Sequence, residues 1–173
     1  MSFSLYSATV PTWLQILEAV AGLVAKAEAF CSEKSLAPAD LIQARLAPDM
    51  LPLAYQVKST AVHSLGAIEG VRKGVCSPDM VPPPDSFAAL AARVNAAHTA
   101  LLVITAAEVD AFLGRDLCFS FGERRMNFTA ENFLMSFSMP NFYFHATTTY
   151  DLLRWKGVAL GKRDFMGRLR LKA

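Results

Sequence analysis

The chain has 173 residues, and 17 Lys and Arg against 15 Asp and Glu leave a formal charge of only +2. Apolar residues make up 53% and charged residues 18%, whereas about 25% of an average soluble domain is charged. This composition excludes a disordered chain and argues against the dense positive charge of nucleic-acid binders. We expect one domain over 1–173, with apolar surface left over for a cavity or a subunit interface.

The first long helix is predicted over about 11–34, where apolar residues recur at steps of three and four. Thr9 is the expected N-cap, and Pro11 the expected first helical residue. A short helix is predicted over 39–46.

The second long helix is predicted over 50–73 as one continuous apolar stripe that ends at Gly74. The segment 75–86 contains four prolines and no helical period, which predicts a loop. The third long helix is predicted over 87–107, with a continuation through Leu113.

The helical spacing of apolar residues ends after this segment. The strings CFSF, GERR and MNF at 118–128 are typical of a short hairpin. A brief helix is predicted over 129–139. The last long helix is predicted over 140–155, with Pro140 at its start and Gly157 after its end. The tail beyond it is basic and is predicted to be irregular.

Four long helices with short or proline-rich connections favour an all-α fold, an antiparallel four-helix bundle with a small hairpin between helices three and four. Polar residues on inward stripes of such a bundle converge on its axis. We therefore look for function among those residues.

The string PNFYFHATTTYDLLRWKGVALGKRDFMG, residues 140–167, resembles the terminal signature of the family called domain of unknown function 1993. DMLPLAYQVKSTAVHSLGA at 49–67 and SFAALAARV at 86–94 resemble two other segments of that family. The resemblance covers 49–167. It implies a fold similar to the DinB/YfiT-like four-helix bundles, whose members often form homodimers, and it implies no reaction.

Members of this wider superfamily place one histidine on helix two and two histidines, four residues apart, on the last helix around a divalent metal. On this chain the resemblance carries over to His63 and to His145. The positions four residues from His145 hold Asn141 and Thr149, and a catalytic zinc site normally takes three protein ligands. We therefore predict no metal and no other cofactor.

The three histidines are the candidates for acid/base chemistry. Their alternative roles are structural: a satisfied buried imidazole, a close helix contact, or a core or interface residue. We take His145, His63 and His98 as catalytic candidates, and Gln56, Asn141, Thr149 and Tyr150 as substrate-binding candidates.

Seven phenylalanines are candidates for the apolar wall of a pocket, with core packing as the alternative. They are Phe119, Phe121, Phe128, Phe133, Phe137, Phe142 and Phe144. From Arg154 onward, seven basic residues face a single acid, Asp164. Because stacking aromatics are not interleaved with these bases, we predict a solvated tail and no nucleic-acid partner.

The cysteines Cys31, Cys76 and Cys118 are odd in number and far apart, which favours a reducing compartment over a disulfide framework. The N-terminus lacks the pattern of a secretion signal. The apolar run 86–107 contains an arginine, an asparagine and a histidine, which predicts a buried helix rather than a membrane span. We expect a cytoplasmic protein with no membrane partner.

Three functional hypotheses follow. The first is a dimeric bundle whose apolar pocket binds a small hydrophobic molecule and, if it is an enzyme, performs metal-independent isomerisation, dehydration or cyclisation. The second is a non-catalytic dimeric binding or interaction protein. The third, by superfamily analogy alone, is a degenerate metal-dependent transferase.

Overall fold

The computed structural model describes residues 4–172, and its elements are predominantly helical. In chain order they are α1 (Leu5–Lys34), α2 (Pro38–Ile42), α3 (Leu53–Val62), α4 (Leu65–Lys73), β1 (Val75–Cys76), α5 (Phe87–Leu102), α6 (Ala106–Asp110), β2 (Asp116–Phe121), β3 (Arg124–Thr129), α7 (Ala130–Asn132), a π-helix (Phe133–Ser138), α8 (Met139–Trp155) and α9 (Lys162–Met166).

Helix α1 begins six residues before the predicted start. Ser4 and Ser7 cap it reciprocally: the Ser4 N–H donates to the Ser7 hydroxyl at 2.7 Å, and the Ser7 N–H donates to the Ser4 hydroxyl at 3.3 Å. Pro11 therefore lies inside the helix, and the predicted cap at Thr9 is wrong. The buried Thr9 hydroxyl instead donates back to the Leu5 carbonyl at 2.7 Å.

Helix α1 is also long and apolar enough to cross a membrane by length and composition, with a mean hydropathy of 1.4 over its most apolar window. Half of that window is buried inside the fold. Trp13 on this helix is fully buried and contacts Phe142 edge to face, with ring centroids 6.5 Å apart. Helix α1 therefore has the burial of a core helix.

The predicted continuous second helix is divided into α3 and α4 at His63 and Ser64. Ser64 has φ −118° and ψ −86°, which is not helical, and its hydroxyl donates to the Thr60 carbonyl at 2.7 Å. The His63 carbonyl accepts the Ser138 hydroxyl at 2.9 Å. The apolar stripe continues across the break, so periodicity could not reveal it.

Other helix ends also differ from the predictions. The short second helix is Pro38–Ile42 rather than 39–46. Helix α5 ends at Leu102, and α6 starts anew because the Thr105 side chain accepts the Glu108 N–H at 3.2 Å. A side-chain cap in the middle of an apolar stretch ends one helix and starts another.

The predicted hairpin is present: β2 and β3 are antiparallel, and Phe121 pairs with Arg124 around a two-residue turn. The segment that was predicted to be only a loop contributes β1, which pairs in parallel with β2, Cys76 opposite Phe119. The fold is therefore mostly helical, and the predicted two-stranded hairpin of an otherwise all-α bundle is part of a three-stranded sheet. A two-residue strand is too short for sequence periodicity to detect.

The last long helix matches its prediction closely, with Pro140 at the start of α8. The preceding turn is π-helical rather than α-helical. Local π turns occur frequently at functional sites.

The tail is partly helical rather than irregular. In α9, Asp164 accepts the Gly161 N–H at 2.7 Å and pairs with Lys26 at 2.7 Å. At Gly167, φ is +60° and an added Cβ would lie 3.1 Å from the Gln15 carbonyl oxygen, so glycine permits the close docking of this tail on α1.

Candidate functional site

A cavity of about 330 Å³ lies between α3, the π-helix, the start of α8 and the segment after β1. Its volume is at the lower end of the range for small-molecule sites. The lining residues that matter for chemistry are Tyr55, Lys58, His63, Cys76, Asp79, Phe119, Phe133, Phe137, Asn141 and His145. We call it the histidine cavity.

His145 has a defined tautomer. Its Nδ1 lies 2.7 Å from the Gln56 Oε1, and the Gln56 Nε2 donates to the Leu51 carbonyl at 2.8 Å. The amide oxygen of Gln56 must therefore accept, so Nδ1 of His145 carries the proton. The Nε2 atom of His145 is left with a lone pair at the cavity wall.

The His63 ring lies parallel to the His145 ring, with centroids 5.5 Å apart and an interplanar angle of 14°. Burial lowers the pKa of His145 to about 4. Burial, followed by repulsion from His145, lowers the pKa of His63 to about 4. Both imidazoles are therefore neutral near pH 7.

Aromatic side chains form the wall beside the histidines. Phe133 and Phe137 are stacked with centroids 5.4 Å apart, and Phe119 lies 4.7 Å from Phe137. Phe137 contacts His63 edge to face at 6.0 Å. Three of the seven phenylalanines singled out in the sequence therefore line the cavity.

The other four phenylalanines lie elsewhere. Phe128 packs behind the wall against Phe133 at 5.8 Å. Phe142 is fully buried in the core, whereas Phe121 and Phe144 are exposed.

Sequence reasoning missed Lys58, whose side chain is only 3% exposed. Its Nζ donates to the carbonyls of Asp79, at 2.9 Å, and of Val81, and lies 3.2 Å from Asp79 Oδ1. The signal in the sequence was its position on the apolar face, four residues after Ala54 and three before Ala61.

The carboxylate that faces Lys58 is charged. Burial by itself would raise the pKa of Asp79, but the Val81 N–H, Lys58 and Arg93 together hold it below its ordinary value. Arg93 contacts the other carboxylate oxygen at 3.0 Å.

The predicted site residues do not all meet. His63, His145 and Asn141 line the histidine cavity, and Gln56 positions His145 from behind. The Asn141 Nδ2 donates to the Phe137 carbonyl at 2.7 Å, which leaves its amide oxygen as a second acceptor at the wall.

The remaining candidates lie away from it. His98 lines a different cavity, beside Glu18 and Arg168. The buried Thr149 hydroxyl donates to the His145 carbonyl at 2.9 Å. Tyr150 packs against Phe165, with ring centroids 6.0 Å apart.

The sequence model of the family described as Domain of unknown function (DUF1993) matches residues 5–166. The chain belongs to the DUF1993 family. The crystal structure of a DinB family member protein from Shewanella denitrificans superposes with a TM-score of 0.79 and 27% sequence identity, covering 98% of this chain and 95% of that chain. These findings confirm the DUF1993 and DinB-like resemblances. No curated protein matches the chain.

The donor set does not fit the metal site of the wider superfamily. His63 and His145 provide two imidazoles, but the Thr149 hydroxyl is committed to a backbone carbonyl. Asp79, the only carboxylate among the cavity-lining residues of the described chain, is held by Lys58 and Arg93. Within residues 4–172, no group of three His, Cys, Asp or Glu side chains is placed to hold a metal ion.

Proposed function

We propose that this DUF1993 protein binds a small, mostly apolar, uncharged molecule in the histidine cavity. The observation that carries the proposal is the fixed tautomer of His145, which presents a lone pair on Nε2 beside an aromatic wall. A ligand that fits this pattern has an apolar body and one O–H or N–H donor.

The charges around the cavity support an uncharged ligand. Both imidazoles are neutral because their pKa values are lowered to about 4. Lys58 already contacts three acceptors of the loop. Since a buried ion without a partner is costly, an uncharged molecule matches this cavity better than an anion.

The same arrangement supports proton transfer on the ligand. Nε2 of His145 would accept a proton from the bound donor, and the imidazolium so formed would return that proton to another atom of the molecule, with the neutral His63 ring stacked beside it. Isomerisation, dehydration and cyclisation are reactions of this type. Gln56 would stabilise the imidazolium formed on His145.

One observation favours the second candidate, a non-catalytic binding protein. An imidazole with a pKa of about 4 is a weak base near pH 7, whereas an effective general base has a pKa close to the working pH. Such an imidazole still accepts a hydrogen bond well. It therefore serves ligand binding even though it is a poor general base.

The test compares two probes with the same aromatic body, 2-naphthol and 2-methoxynaphthalene, of which only the first donates a hydrogen bond. Calorimetric titration should show about fivefold tighter binding of 2-naphthol, because one buried hydrogen bond contributes about 1 kcal/mol. The preference should disappear in His145→Phe. Equal affinities in the wild type would refute the assignment of Nε2 as acceptor.

A further inference from the structure

A second cavity, of about 350 Å³, lies between α4 and α5 on the other side of the segment that follows β1. The two cavities share four lining residues: Val62, Cys76, Ser77 and Asp79. Three of these belong to Cys76–Asp79, so this short stretch of chain separates the two spaces.

Beyond strand β1, the backbone of this segment is weakly attached to the rest of the fold. Strand β1 ends at Cys76. Within the described residues 4–172, no backbone-to-backbone hydrogen bond joins residues 79–85 to another part of the chain. Pro82, Pro83 and Pro84 have no N–H to offer. Side chains must therefore determine where the segment lies.

Lys58 supplies the principal attachment. Its buried ammonium group contacts the carbonyls of Asp79 and Val81 and the Asp79 carboxylate. It thus holds two points of the segment against α3. Arg93 adds an outer contact to the same carboxylate, but its side chain is 49% exposed, and an exposed ion pair contributes little.

These three contacts use all the N–H donors of Lys58, so none is left for a ligand. A buried lysine of this kind positions the segment that it contacts. We propose that residues 77–81 form a gate between the two cavities, and that Lys58 is the positioning residue that holds this gate against α3. Displacement of the gate joins the two cavities and opens a path to His63 and His145 from the α4 and α5 side. The gate is a property of the fold, while its role in ligand entry rests on the proposed function.

The first experiment measures the gate without any ligand. Cys76 directly precedes the gate and lines both cavities, so its alkylation by iodoacetamide, quantified for each cysteine by mass spectrometry, reports opening. Lys58→Met should raise the Cys76 rate about tenfold and leave Cys118 unchanged. Losing a positive charge cannot by itself activate a thiol, so a faster rate would come from exposure.

Lys26→Met is the control, because it removes another Lys–Asp pair, with Asp164, and neither of these residues lines either cavity. It should leave the Cys76 rate unchanged. If Lys58→Met is folded by circular dichroism and its Cys76 rate equals that of the wild type, the proposal is overturned. If that variant does not fold, Asp79→Asn replaces it, and unchanged amide exchange at Asp79 to Val81 would overturn the proposal equally.

The second experiment uses 2-naphthol fluorescence in a stopped-flow instrument. Opening the gate should raise the association and dissociation rates together, by about tenfold, with a small change in Kd. A higher Kd with an unchanged association rate would overturn the role in entry. If 2-naphthol does not bind the wild type, the proposed function fails, whereas the alkylation result still decides whether the gate exists.

Discussion

The imidazoles of His63 and His145 lie parallel, 5.5 Å apart between ring centroids, although 81 residues separate them in the chain. One ring belongs to the break between α3 and α4, and the other to α8. Two positive charges this close together repel each other. The protonation of either ring therefore opposes the protonation of the other.

This pair predicts that the protein loses stability as the medium becomes acidic. The folded-state pKa of each histidine is about 4, below the ordinary value of 6.5, so the unfolded chain binds more protons between these values. The free energy of unfolding should therefore fall as the pH drops from about 6.5 to about 4, by at most roughly 3 kcal/mol for each histidine.

Urea denaturation at several pH values measures this loss. The free energy of unfolding should fall less steeply with decreasing pH in His145→Phe, which has no imidazole to protonate at that position. The carboxylate of Asp79 contributes in a separate range, because its lowered pKa makes its loss fall below pH 3.8. A flat profile between pH 6.5 and 4 would contradict the assigned burial of the pair.

In Gln56→Leu, His145 should no longer be held in a single tautomer. The variant leaves Nδ1 without its acceptor and the Leu51 carbonyl without its donor, which should cost about 1 to 3 kcal/mol. Imidazole ¹⁵N shifts should change from one tautomer to a mixture. Gln15→Leu is the control, because it also removes a partly buried hydrogen bond from a side-chain amide to a backbone carbonyl, that of Met166, and should leave those shifts unchanged.

Gly70→Ala should destabilise the fold where β1 packs on α4. An added Cβ at this position would lie 3.0 Å from the Cys76 Cβ and 3.1 Å from its Sγ, so β1 must shift, at a cost of about 1 to 3 kcal/mol. Gly22→Ala, in α1 with nothing within 4 Å, should instead stabilise by about 0.5 to 1 kcal/mol. Thermal unfolding of both variants is the measurement, and equal Tm changes would contradict the close contact.

A homodimer in the cytoplasm remains our proposal for the state of the protein. The apolar side chains of Phe144 and Trp155, 54% and 61% exposed on α8, are available for an interface, and a stable one buries roughly 1,600 Å². Sedimentation velocity at micromolar concentration should show a dimer. A stable monomer would contradict this proposal, and the high apolar content would then be explained by the cavities alone.

Purified protein without a histidine tag should carry no stoichiometric transition metal. The described residues offer two imidazoles at the histidine cavity, and the third histidine, His98, lines another one. Elemental analysis is the measurement. One equivalent of metal that is lost in His145→Ala would favour the degenerate transferase instead.

The sequence by itself determined the family, most of the helices and the hairpin, because these depend on local signals: apolar periodicity, caps and the terminal signature at 140–167. It also identified His63 and His145 as candidates. Only the tertiary structure decided that these two rings stack while His98 lines another cavity, because contacts between helices depend on packing, and the apolar stripe continues across the non-helical break at Ser64. The sequence signals the burial of Lys58 only by its position on an apolar face, and a lysine in a helix is ordinarily solvated. Its partners, 21 and 23 residues further along the chain, contact it only where the proline-rich loop packs onto α3.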